Sequence, residues 1–347
     1  MTDPGPARGA HEARGEPLRI SVLDQSPVGT GQTAAEALRN TVDLARRADR
    51  LGFHRYWVAE HHGMVSHAIS APEVLVGAIA AQTERIRVGT GGVLLAHYSP
   101  LKVAESFRLL HALFPGRIDL GIGRSLAGGG PISAALDPGH ALPDAGTLPA
   151  KLAELLAFLH DAVPAGHPFA GFEVTPQVDD APPVWILGSS SSSAAEAGRA
   201  GIDYAFAHFI NPAATRAAAQ AYHAGGGGGE LILGIGVYCG ETETEAQRVY
   251  ASQRLFRARL TQNIIAPVPS TEEALAELAS GPDPLGQERF EWPRYVVGTP
   301  AQVRDQVTAI ASAVGVREVV ALATVHDHKN RVRSYELLAE AFGTASR

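Results

Sequence analysis

Short apolar runs, rich in β-branched and aromatic residues, alternate with longer helical stretches along the chain, and this rhythm limits the fold more than any other feature. The runs lie at 18–23 (LRISVL), 55–59 (RYWVA), 86–89 (IRVG), 117–122 (RIDLGI), 183–187 (PVWIL), 204–207 (YAFA), 231–238 (LILGIGVY) and 318–323 (EVVALA). Between them, 33–51 carries apolar residues at helical spacing (Ala37, Val42, Leu44, Ala45, Ala48) and is stopped by Gly52. Helices are also predicted over 71–83, 100–114, 148–162, 194–200, 212–223, 242–261, 300–313 and 330–342, that at 100–114 with proline at its first position. Sustained alternation argues for a parallel sheet with helices outside it, and eight units favour closure into a (β/α)₈ TIM barrel with loop insertions. The rival is a doubly wound open sheet. That rival usually carries Gly-x-Gly-x-x-Gly after its first strand; here only Gly121-x-Gly123 follows a strand, and no helix opens directly behind it.

Several segments break the rhythm. Residues 125–146 and 266–293 are rich in glycine or proline and read as long loops. Residues 169–174 suggest a short extra strand. The five-glycine run 225–229 reads as a flexible loop with no specific duty. Residues 1–17, rich in proline, glycine and charge, read as a disordered tail, leaving 18–347 as one domain. The tail has no apolar run, so no signal peptide is expected.

The balance of 29 Lys+Arg against 36 Asp+Glu gives a net charge of -7, which makes nucleic acid an unlikely partner. No stretch approaches the roughly 18 apolar residues of a membrane span. The single cysteine, Cys239, excludes an internal disulfide framework and a thiolate metal cluster. A soluble cytoplasmic protein is the default expectation.

In a parallel barrel, functional residues gather at the carboxyl ends of the strands. Those positions hold Asp24, Gln25 and Ser26; Glu60, His61 and His62; Gly91 and Gly92; Arg124 and Ser125; the GSSSSS run from Gly188 to Ser193; His208 and Phe209; Gly240 and Glu241; and His326, Asp327 and His328. The set is polar and rich in histidine, whereas the amino-terminal strand ends are read as not being so. Gly188, Ser189, Ser190 and Ser193 open a helix, whose unpaired N–H groups and dipole suit one phosphate. An ordinary serine N-cap is the plainer reading. Arg124, after the preceding principal strand, could neutralise the same phosphate with two hydrogen bonds; a surface ion pair is its plainer reading. His61 and His62 are adjacent in an extended segment and point apart, so they are poorly placed to share a metal ion. One ring aimed into the mouth could move protons near neutral pH, since imidazole titrates near 6.5. Paired Gly91 and Gly92 imply either close backbone approach to a ligand, such as a flat ring, or tight strand packing.

These residues carry a resemblance to the bacterial luciferase-like flavin-dependent monooxygenase superfamily, within it to the branch of natural-product pathways. The matching stretches are LDQSPVG (23–29), GFHRYWVAEHHG (52–63), RIRVGTGGVLL (85–95), SPLKVAE (99–105), PGRIDLGIGRS (115–125), PPVWILGSSSSSA (182–194), YVVGTP (295–300) and VHDHKNRVRSYELLAEAF (325–342). The resemblance implies a barrel, usually dimeric, that binds reduced FMN at its mouth. It implies phosphate contacts on Arg124, Ser189, Ser190 and Ser193, a non-prolyl cis peptide at Gly91–Gly92 against the flavin ring, an active-site histidine at His61, and Glu60 beneath the ring. The chain departs from luciferase itself, which has a reactive cysteine where Gly123 stands and an acidic residue where Ser189 stands. The stretch SLAGGGPISAAL after Arg124 also differs from the Pro-Gly-Thr-Asp-like run of relatives. Light emission is not implied.

The expected activity is therefore a monooxygenase reaction using reduced FMN and O₂ on a small organic substrate. A separate reductase would supply the flavin, since no nicotinamide fingerprint is present. The loops 125–146 and 266–293 are candidate lids that keep water out. Two rivals remain: a deazaflavin-dependent dehydrogenase on the same barrel, which should want more cations for a longer acidic tail, and a non-catalytic flavin-binding homologue.

Overall fold

The computed structural model describes residues 17–126, 130–136, 145–279 and 289–344. The expected tail therefore lies outside the described residues, apart from Pro17. In chain order the elements are β1 (Arg19–Asp24), α1 (Ala34–Arg50), β2 (Arg55–Val58), α2 (Pro72–Ala80), β3 (Arg87–Thr90), α3 (Pro100–Leu113), β4 (Ile118–Gly123), α4 (Gly130–Leu136) and α5 (Leu148–Leu159). Then come β5 (Val184–Gly188), α6 (Ser191–Ala200), β6 (Asp203–Ala207), α7 (Thr215–Ala224), β7 (Leu231–Cys239), α8 (Glu243–Thr261), α9 (Thr271–Ala279), β8 (Tyr295–Gly298), α10 (Pro300–Val314), β9 (Glu318–Leu322) and α11 (His328–Phe342).

Strands β1 to β7 pair in sequence order, all parallel, and β9 pairs with both β7 and β1. Eight strands thus close a ring, the (β/α)₈ barrel that the alternation predicts. A ninth strand, β8, was not read from the sequence. It pairs with Gly236–Cys239 of β7, beyond the Leu233–Gly236 stretch that β7 shares with β9. The nine-residue β7 outruns the ring, and β8 covers the projecting edge. Residues 169–174 form no strand; they run through turns, with Gly171 at φ 89°. Phe169 and Phe172 instead lie against Phe158 of α5, at 6.4 and 5.9 Å between ring centroids.

Alternation along each strand sends one set of side chains outward and the other into the barrel. Outward residues such as Tyr56, Val88, Ile118, Ile186 and Phe206 join the helices in the main core. Inward, Leu23, Trp57, Trp185, Ile232, Val320 and Leu322 form a smaller cluster. At the amino end of the ring the structure corrects the sequence reading, because this end is strongly charged. Arg55 donates to Glu318 at 2.8 Å and to Asp119 at 2.9 Å, Arg87 donates to Asp119 at 2.5 Å, and the Trp57 indole donates to Asp119 at 3.0 Å. Asp119 and Glu318 are fully buried. Burial alone would lower the Arg55 pKa, but the two carboxylates outweigh it and raise it above the ordinary value. A closed ring leaves inward-facing charges no route to solvent, so they pair with one another.

The five-glycine run has a specific duty. A Cβ at Gly225 would fall 2.4 Å from the Gly198 carbonyl carbon, and one at Gly227 would fall 2.2 Å from the Gly198 oxygen. The Gly227 N–H donates to that oxygen at 3.0 Å. The run therefore lies backbone against backbone on α6, which a side chain would prevent. Within the expected long loops, α4 and α9 are helical, while 127–129, 137–144 and 280–288 lie outside the described residues.

Candidate functional site

A cleft of about 630 Å³ opens at the carboxyl ends of the ring strands. Its depth comes from residue size. Trp57 and Val320 face it from within the barrel, while lining positions such as Ala59, Gly91, Gly123, Ala207 and Gly234 carry a methyl group or nothing. Small residues where other barrels place branched side chains leave space for a ligand. All nine residues expected from the sequence line this one cleft: Glu60, His61, Gly91, Gly92, Arg124, Gly188, Ser189, Ser190 and Ser193.

One wall is the serine turn. Ser190 caps α6, its hydroxyl accepting from the Ser193 N–H at 3.2 Å, so the helix starts at Ser191, three residues earlier than the composition suggests. Two residues missed by sequence reasoning brace the turn. The Tyr204 hydroxyl pairs with Ser193 Oγ at 2.7 Å, and Asn211 Nδ2 donates to the Ser189 carbonyl at 2.9 Å. A Cβ at position 188 would sit 2.5 Å from the Tyr204 hydroxyl oxygen and 2.6 Å from Ser193 Oγ, so glycine alone lets the backbone lie there. Arg124 reaches the same corner from the end of β4, where its guanidinium lies 3.6 Å from Glu196 of α6. Burial raises the Tyr204 pKa; its Ser193 hydrogen bond and the nearby Arg124 charge oppose the rise, and Glu196 adds to it. Arginine, serine turn and tyrosine thus share one electrostatic environment.

The opposite wall is the end of β2 and its loop. Glu60 is buried, with Oε1 accepting from Tyr98 at 2.6 Å and pairing with His62 Nε2 at 2.7 Å, while Oε2 accepts from the Leu94 N–H at 3.0 Å. Its carboxylate therefore fixes the chain just after the glycine pair. The Gly91–Gly92 peptide is cis, as the resemblance implies. A Cβ at Gly92 would fall 2.7 Å from the Gly121 oxygen, a backbone atom, so that position admits no side chain, and one at Gly91 would fall 2.7 Å from the end of Leu23, which would have to shift.

His61 departs from the near-neutral titration that its residue type suggests. Its ring stacks on His67 at 4.3 Å, and its Nδ1 is enclosed without a hydrogen-bond partner. Burial, and next the neighbouring His62 charge, hold its pKa down to about 4. His67 is held to about 3 by burial and then by His61. Both rings are neutral at pH 7. His62 points elsewhere, to Glu60, in keeping with the divergence expected of adjacent residues.

Gln25, Ser125 and Phe209 also line the cleft, whereas two other strand-end residues, Asp24 and His208, are structural. Asp24 is fully buried and accepts from Arg331 at 2.5 Å, from the Ser26 N–H at 2.8 Å and from Tyr56. Burial would raise its pKa, but Arg331 and these donors hold it below the usual carboxylate value. His208 spans from Thr215 to the Pro293 carbonyl, at 2.7 and 2.9 Å. Neither Asp24 nor His208 lines the cleft.

A closed parallel ring with a mixed polar and apolar cleft at its carboxyl ends defines the class: a (β/α)₈ barrel enzyme fold, with chemistry carried by the strand-end loops. Residues 18–318 match the luciferase-like monooxygenase family, and the chain belongs to it. It is 37% identical over 335 residues to the N-acetyl-S-alkylcysteine monooxygenase of Bacillus subtilis (strain 168), covering 95% of this chain and 100% of that protein. Among solved structures it is similar to apo-MsnO8, with a TM-score of 0.89 and 49% identity over 94% of this chain and 99% of that one. The oxygenating constituent of 3,6-diketocamphane monooxygenase from Pseudomonas putida, solved in complex with FMN, superposes with a TM-score of 0.71. At 20% identity, over 94% of this chain and 98% of that one, this last likeness shows the fold. No helix among the described residues is long and apolar enough to cross a membrane.

Proposed function

We propose that this chain is a monooxygenase that takes up reduced FMN from a separate flavin reductase in the cytoplasm and uses it with O₂ on a small organic substrate. The observation that carries the reading is the meeting of Arg124 and the capped serine turn at one corner of one cleft. A guanidinium, serine hydroxyls and a helix start together fit a phosphate monoester. Bound FMN would supply the oxygen-activating chemistry, which side chains lack.

The chain's own residues bind and orient. Arg124 and Ser189, Ser190 and Ser193 would hold the phosphate. The Gly91–Gly92 backbone, kept bare by its neighbours, would let a flat ring lie close. Glu60 fixes the Leu94 N–H and the Tyr98 hydroxyl behind that surface. His61, neutral and with Nδ1 enclosed, would exchange a hydrogen bond or a proton with the cleft through Nε2. Within the segments 125–146 and 266–293, the described helices α4 and α9 remain candidate lids. Val74, Leu109 and Leu113, exposed at 69, 51 and 62% on α2 and α3, support a homodimer built on those helices.

The test is anaerobic titration with chemically reduced FMN, followed by rapid mixing with air. The reading predicts saturable binding and an oxidation time course that differs from that of free reduced FMN. Oxidation identical to free flavin would reduce the chain to a flavin-binding homologue. Tight binding of a deazaflavin in place of FMN would make it a dehydrogenase.

A further inference from the structure

The corner that suits a phosphate also holds a charge that opposes one. Glu196 projects from α6, the helix opened by the serine turn, and its Oε2 lies 3.6 Å from Arg124 Nη1. Both side chains reach solvent, at 55% and 35% exposure. Glu196 does not itself line the cleft; it stands at the edge, on the helix that Ser190 caps, and bears on the corner through its contact with Arg124. Among the described residues lining the cleft, Arg124 is the only lysine or arginine. Glu196 therefore faces the single cation on which an anion there depends.

We propose that Glu196 is a positioning residue that draws Arg124 toward α6 in the free protein and weakens the hold on a phosphate-bearing ligand. The inference rests on the reading given under Proposed function. A flavin delivered reduced must leave oxidised in every cycle, so a corner that grips too hard would limit turnover. A carboxylate beside the guanidinium sets that grip. A dianion entering the corner must share Arg124 with Glu196 and approach a like charge. At the dielectric constant of water, unit charges at this range change a binding constant about fivefold. An exposed ion pair with no bearing on binding is the competing account, and it predicts no change in affinity.

The experiment measures FMN affinity and dissociation rate by fluorescence quenching for the wild type, Glu196→Gln, Glu196→Asp, Arg124→Ala and the Glu196→Gln/Arg124→Ala double variant. Arg124→Ala is expected to weaken binding by tenfold or more, through loss of a charge-assisted contact. Glu196→Gln is expected to tighten binding about three- to tenfold and to slow dissociation, while Glu196→Asp stays near the wild type. In the Arg124→Ala background the gain should shrink to the small part owed to direct like-charge repulsion, and riboflavin, which has no phosphate, should not respond to Glu196→Gln. Unchanged or weaker FMN binding by Glu196→Gln, with Arg124→Ala still damaging, would overturn this inference and leave the cofactor reading standing. An equal gain in both backgrounds would also overturn it, since the effect would not act through Arg124. Unchanged affinity in Arg124→Ala would remove the cofactor reading itself.

Discussion

His61 and His67 differ from ordinary surface histidines because the fold stacks them and takes them largely, though not wholly, out of water. In an unfolded chain both rings take up protons near pH 6.5. In the fold His61 resists until about 4 and His67 until about 3. The unfolded state binds more protons across that window, so stability is full above pH 6.5 and falls as the pH drops through it, by roughly 3 kcal/mol for His61 alone. Urea midpoints measured from pH 7 to about pH 4.5 should trace this decline, and His67→Phe, which keeps a ring but has nothing to protonate, should flatten it. The same neutrality shapes the proposed chemistry. His61→Ala should leave FMN affinity nearly intact and slow turnover about 10²–10⁴-fold. Full turnover in that variant would exclude His61 from proton handling.

At the scale of elements, α6 links packing to the site. Its first turn presents Ser190 and Ser193, and its middle is pressed between α7 and the glycine run. A Cβ at Gly198 would meet the Tyr222 carbonyl oxygen at 2.2 Å, a backbone atom that cannot swing away. Gly198→Ala should therefore cost about 1–3 kcal/mol, visible as a lowered Tm, and loosen FMN binding by tilting the serine turn. An unchanged Tm would mean that the helix shifts freely. The glycine run shows why such contacts escape sequence reading. Composition reports flexibility, whereas the requirement comes from a backbone more than twenty residues earlier in the chain.

For the whole molecule, the exposed apolar residues on α2 and α3 bear on assembly. Sedimentation should find a dimer for the wild type, and Leu109→Glu combined with Leu113→Glu should give a folded monomer if those helices pair. A wild type that sediments as a monomer would remove the proposal. The eight-stranded ring was legible because each buried strand writes a short apolar run between helices, and parallel closure follows from their number. Strand β8 was not, since it stands outside the ring and its place depends on how far β7 overshoots. The nine predicted site residues share one cleft because strand ends in a closed ring face one mouth. Tyr98, Asn211, Tyr204 and Glu196 carried no motif, and nothing local marks their contacts with Glu60, Ser189, Ser193 and Arg124 behind that mouth.

What the amino-acid order settles alone is periodic: which stretches become the eight ring strands and most of the helices between them, and that the carboxyl strand ends carry polar side chains. What only tertiary closure decides is electrostatic. Arg55, Asp119 and Glu318 look like ordinary surface charges in the sequence, and His61 looks like a titrating imidazole. Each is changed by the same physical cause. Closure takes all four side chains from water, the first three by turning them into the ring and His61 by stacking it on His67 in the loop after β2, and a charge without solvent must find a partner or give up its proton.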